Sequence, residues 1–230
     1  MVQYTPIWDV LNHSKQNIMK INTTSSLYTL VGNILKKEKL MTKTRTLCLI
    51  GLILFVISYV FFSQGSLSAQ KGIDLAHWFN LIGAVLLFNF NYVFPKNKLN
   101  SVASILTAVG VIAHIGLCTI DFIMWSFGDN DVGRNALSEQ ISNTPLILYP
   151  FVIIGPSFLF VGLAAHALNF IKTNPISSLM VIIGGPFVGL SYFIWNNGIL
   201  MLISCAVFAS GLALLLYRKE SKNLELEKSY

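Results

Sequence analysis

Six long apolar stretches, at about 46–63, 75–94, 101–127, 146–170, 176–195 and 199–217, hold between them a single formally charged residue, Asp121. A bilayer core about 30 Å thick is crossed by roughly 20 helical residues, so each stretch is long enough to span it. The runs are continuous, whereas barrel strands alternate, and a helix satisfies its own backbone groups in lipid. The chain is therefore expected to be all-α, an integral membrane bundle of six transmembrane helices. Composition agrees: 54% of the 230 residues are hydrophobic and 11% charged, against about 25% charged in ordinary soluble domains. The apolar content excludes disorder, and three cysteines are too few for a disulfide framework.

Orientation follows from lysine and arginine, which favour the cytoplasmic ends of spans. With six spans, fourteen of the sixteen basic residues fall on one side and only Lys71 and Arg134 on the other. Both termini are then cytoplasmic, in a cell membrane. Trp78, Trp125 and Trp195 all fall near the outward ends, where indoles sit at headgroup level. The net charge of +6 reads as topology and attraction to anionic headgroups, with no soluble basic domain to bind nucleic acid. The expected partners are the lipid bilayer and other membrane proteins, with any small-molecule ligand unspecified.

Three regions result: a cytoplasmic tail over 1–44, the six-helix domain over 45–217 and a charged cytoplasmic tail over 218–230. Two readings of the first forty residues stay open. Ile7, Leu11, Ile18 and Ile21 share a helical face, as do Leu27, Val31 and Ile34, which suits an interfacial helix. Alternatively translation starts at Met41, where a short basic start precedes the first apolar run. A signal peptide cut near Ala69 is the weaker reading of that run, which is longer than a usual signal core. The other loops are short, and only 128–145 is long enough to shape a mouth; its Asp129-Asn130-Asp131 reads as a solvated acidic loop, because it lacks the calcium-loop spacing.

Ionisable groups inside a span are costly, so they are the first place to look for function. Asp121 shares one face of its helix with Thr107, Gly110, His114 and Cys118; His77, Asn80, Ala84 and Asn91 make a matching stripe on the second helix. The short link between these helices makes them antiparallel neighbours and places His77 and Asp121 at one depth, roughly 27 to 30 Å above it. A hydrogen-bonded His77–Asp121 pair near the outer mouth is expected, with His114 deeper on the same stripe. Such a set suits proton relay or a small cation; the plainer reading is helix glue, with Asp121 meeting Asn80 or interfacial water.

Pro156 and Pro186 sit in similar strings, Ile154-Gly155-Pro156 and Gly184-Gly185-Pro186, and are candidate helix breaks of the kind carriers place at the midplane. His77, His114 and His166 lie at three depths, which does not suit a two-histidine haem, and no zinc or nucleotide motif is found. No cofactor, metal or catalytic residue is expected. A non-catalytic membrane subunit is the first functional expectation, a small-solute or proton-linked transporter the second, and a membrane-embedded enzyme the third.

Overall fold

The computed structural model describes residues 7–64 and 74–218, apart from the side chains of 7–32, 34 and 193. The Ala69 position, Lys71 and the tail beyond Arg218 therefore lie outside the described residues, as do the side chains that make the two amphipathic stripes of the first forty. All regular structure among the described residues is helical. Residues 1–43 and 44–230 separate into two compact units. In the first, the chain is helical from Ile7 and exposes Leu35 and Leu40.

The second unit contains the bundle. Helix α1 (Ile7–Ser63) brings in the first apolar stretch, and α2 (Leu75–Leu87) and α3 (Phe90–Val93) follow. Next come the long α4 (Lys98–Ser126), α5 (Asp131–Ser142) and the single turn α6 (Pro145–Ile147). A π-helical stretch Leu148–Ile153 leads to α7 (Ser157–Leu168), and α8 (Pro175–Phe193) and α9 (Gly198–Leu216) complete it. Four stretches are long and apolar enough to cross a membrane: Leu35–Ser63, Lys98–Ser126, Pro175–Tyr192 and Gly198–Leu216. Pro145–Ile153 and Ser157–Leu168, bent by 42°, make a fifth if taken as one span.

The apolar run 75–94 is divided. Phe88 and Asn89 donate to Val85 and Leu86 three residues back, and the Asn89 side chain donates to the Leu86 carbonyl at 2.9 Å. These bonds tighten the helix into a turn, so α2 stops at 13 residues, about 20 Å of rise and less than a bilayer core. The run 146–170 is broken as well. Pro150 and Pro156 cannot donate, and the amides of Ile154 and Gly155 both turn back to the Tyr149 carbonyl. Pro186 behaves differently: α8 continues through it as an interior residue, so the break expected there does not form. Its helix is held instead by α9, since a Cβ on Gly184 would lie 2.8 Å from the Phe208 nitrogen.

Segment 128–145 also departs from the loop expectation. Asn130 caps α5 by accepting from the Gly133 amide at 3.0 Å, Asp131 sits in the first turn, and the helix leaves no residue buried.

Neighbouring segments run antiparallel. Phe62 meets His77 while Gly51 meets Leu86, which sets α1 against α2. His77 meets Asp121 while Asn91 meets Ser104, which sets α2–α3 against α4. At the α4–α7 crossing two helix backbones come close. A Cβ on Gly110 would lie 2.1 Å from the Leu159 nitrogen, and one on Gly162 would lie 2.5 Å from the Thr107 nitrogen. In lipid, apolar burial drives little helix association, so close backbone packing of this kind holds the bundle. Phe55, Leu87, Phe90, Leu159, Leu163 and Phe208 fill the interior, whereas Ile105, Ile112, Ile183 and Leu214 point outward.

Candidate functional site

Asp74 precedes α2 and caps it, its Oδ1 accepting from the His77 amide at 3.2 Å. The same carboxylate reaches the His77 ring, with Oδ2 2.5 Å from Nδ1. On the far side of the ring, Nε2 lies 3.1 Å from Asp121 Oδ2 on α4. The imidazole is therefore bracketed by two carboxylates and flanked by Phe62, with ring centroids 5.0 Å apart. The side chains of Asp74, His77 and Asp121 are 5%, 16% and 31% exposed, so Asp121 faces the surroundings and Asp74 does not.

Proton counting limits what this triad does. If both carboxyls are ionised, both ring nitrogens must donate and His77 carries a charge. If the ring is neutral, one carboxyl must carry the proton. Either way the triad carries two protons, one directed between the ring and each carboxyl, and one net negative charge. It does not form a metal cage, because the two carboxylates approach opposite ring nitrogens and cannot converge on one ion. Among the described residues no group of three or more His, Cys, Asp or Glu is arranged to hold a metal.

The structure brings His77 and Asp121 together and leaves the other two candidates apart. Asn80, one turn further in, meets the Cys118 thiol at 4.0 Å, a weak contact. His114 is buried, its Nδ1 3.0 Å from the Gly110 carbonyl, with the rings of Phe55 and Phe160 5.8 and 6.1 Å away. Its ring is tied to its own helix and does not reach the triad. Pro156 and Pro186 bring no polar side chain to these residues. Asp74 is the member that sequence reasoning missed; an Asp three residues before a His at a helix start is the capping pattern that signals it.

A second polar cluster occupies the opposite end of the bundle, and sequence reasoning missed it. His166 on α7 is fully buried, with Nδ1 2.9 Å from Asn100 Oδ1 and Nε2 2.8 Å from the Asn91 side chain. Asn169 donates to Asn100 at 2.5 Å and accepts from Asn97 at 2.6 Å. The Arg218 guanidinium covers this end, 3.9 Å from the centroid of Phe170, within range of a cation–π contact.

Between the two ends lie phenyl rings: Phe55 and Phe160 are 5.9 Å apart and Phe160 and Phe208 5.2 Å apart. Comparison with known proteins yields no family model, curated protein or solved structure that matches this chain.

Proposed function

We propose that the protein is a six-span integral protein of the cell membrane, with both termini cytoplasmic, that acts as a non-catalytic membrane subunit in contact with lipid and other membrane proteins. The observation that carries the reading is the apolar layer of Phe55, Phe160 and Phe208 between the two polar ends, in which His114 is enclosed. A carrier needs polar groups at the midplane where a solute can dwell. Here the polar side chains that bond between helices gather at the two ends, and the buried Ser58, Thr107 and His114 between them each bond to a carbonyl of their own helix.

The orientation draws support from where charge falls. The Asn97–Asn169 bond and the Arg218–Phe170 contact gather Lys96, Lys98, Lys172 and Arg218 toward one end. The other end carries Asp74, Asp121, Asp129 and Asp131. Trp78 and Trp195 lie at that acidic end and are about half exposed, as an interfacial belt requires. On this reading α2 and α3, over residues 75–93, together make the sixth crossing. Impermeant maleimide is expected to label Ser138→Cys in intact cells and Ser221→Cys only after permeabilisation; labelling of both in intact cells contradicts this topology.

The half-exposed Asp121 beside His77 is the specific observation that favours a second reading, a proton-linked transporter. Proteoliposomes with a trapped pH dye and an imposed pH gradient and membrane potential separate the two. A proton leak equal to that of protein-free vesicles is expected. A protein-dependent flux that disappears in Asp121→Asn overturns the subunit reading and establishes the transporter.

A further inference from the structure

At the His166 end, one backbone bond determines the direction of almost every side-chain bond. The Asn100 amide can only donate, so the atom 2.8 Å from it is Asn97 Oδ1. Asn97 Nδ2 then donates, and Asn169 must present Oδ1 to it. That leaves Asn169 Nδ2 to donate to Asn100 Oδ1 and, at 3.1 Å, to the His166 carbonyl. Asn100 Nδ2 correspondingly faces the Pro95 carbonyl. Since Asn100 Oδ1 is an acceptor, His166 Nδ1 carries a hydrogen.

Only Nε2 and the Asn91 amide are left undetermined, and they are not independent. With a proton on Nε2, the ring donates to Asn91 Oδ1 at 2.8 Å and Asn91 Nδ2 donates to the Ser104 carbonyl at 3.4 Å. With a lone pair on Nε2, two acceptors would face each other. The Asn91 amide must then turn its NH2 toward the ring, and the Ser104 carbonyl loses its side-chain donor.

We propose that His166, Asn91 and the Ser104 carbonyl form a one-proton latch: a proton taken up at Nε2 turns the Asn91 amide and makes the bond from α3 to α4, and its release breaks that bond. The chemistry is reversible protonation alone. The latch is separate from the Asp74–His77–Asp121 triad, and it lies beyond the proposed role of the bundle. From α3 the ring meets Asn91, from α4 Asn100, and Phe94 packs on it with centroids 5.5 Å apart. Among the described residues, the charged groups of the flanking segments are Arg218, which lies against Phe170 and Phe94, and the exposed Lys96, Lys98 and Lys172. No acid is among these described groups, and Asn91 Oδ1 receives the added proton's hydrogen bond.

The test is NMR of the full chain in lipid nanodiscs, with 15N in the histidine rings and asparagine side chains, from pH 8 to pH 4. His166→Gln and Asn91→Leu assign the signals by their loss; if either variant fails to fold, sequential backbone experiments on the wild type assign them. The expected result is a ring protonated at Nδ1 throughout, gaining a proton at Nε2 within this range, with the Asn91 amide signal moving at the same midpoint. A neutral ring protonated at Nε2 instead of Nδ1 overturns the proposal. So does a ring that takes up no proton down to pH 4, or one that titrates while the Asn91 signal stays still.

Discussion

Gly110→Val is expected to abolish the folded bundle, while Gly189→Ala is expected to leave it unchanged. At Gly110 a Cβ would sit 2.1 Å from the nitrogen and 2.5 Å from the Cα of Leu159, both backbone atoms of α7. No rotamer change relieves such a clash; α4 and α7 must separate. Reciprocal contact at Gly162 and Thr107 would be lost with it. Overpacking that forces off-rotamer side chains and backbone shifts costs about 1–3 kcal/mol, and a clash between two helix backbones belongs at or above the top of that range. At Gly189 no atom lies within 4 Å of the added carbon, and alanine is the better helix former. Size-exclusion profile and thermal midpoint in detergent check the pair. Equal behaviour of the two variants would mean that α4 and α7 do not cross at this glycine.

The second large effect is expected at Asn100. Its Oδ1 receives His166 Nδ1 and Asn169 Nδ2, and its Nδ2 serves the Pro95 carbonyl. Asn100→Leu leaves the buried His166 Nδ1 without its acceptor, and leaves the half-buried Asn169 Nδ2 with the His166 carbonyl alone. A buried group left unsatisfied costs about 1–3 kcal/mol, so the expected loss is about 1–3 kcal/mol from His166 alone, with the Asn169 and Pro95 bonds lost in addition. Asn80→Leu is the matched control. Asn80 is as buried as Asn100, yet its bond is to a thiol 4.0 Å away, so the expected cost is below about 1 kcal/mol. Thermal midpoints of the two variants give the comparison, and a larger loss for Asn80→Leu would contradict the ranking.

Sequence reasoning reached the parts of this fold that depend on one segment at a time. The apolar runs of α1, α8 and α9 are uninterrupted by charge and that of α4 holds only Asp121, so length marks them as helices fit to span. The pairing of His77 with Asp121 was reachable because a short link makes α2 and α4 antiparallel and helical rise converts sequence distance into depth. Where the outcome depends on local bonding, the sequence is a poor guide. Asn89 looks like any polar residue in an apolar run, yet its bond to Leu86 divides the second run. Pro156 and Pro186 follow similar strings, but only Pro156 lies at a break, since Pro150 and the π-helical stretch precede it while α9 supports the helix around Pro186. The His166 cluster draws Asn91, Asn97, Asn100 and Asn169 from separate segments, so nothing short of the packing identifies them as partners. Asn130 is a cap for α5 that its spacing to Gly133 makes readable, although its acidic neighbours suit a solvated loop as well.

The central claim is that the bundle is dry between its polar ends, and the native cysteines report on it directly. Cys48, Cys118 and Cys205 are free and at most 1% exposed, and Cys118 lies one turn below Asp121 on the same face of α4. A small charged methanethiosulfonate, applied to the folded protein in micelles and followed by intact mass, is expected to modify none of the three thiols, and all three once the chain is unfolded in detergent. Modification of Cys118 in the folded protein would mean that water passes the triad and enters the bundle, which contradicts the claim.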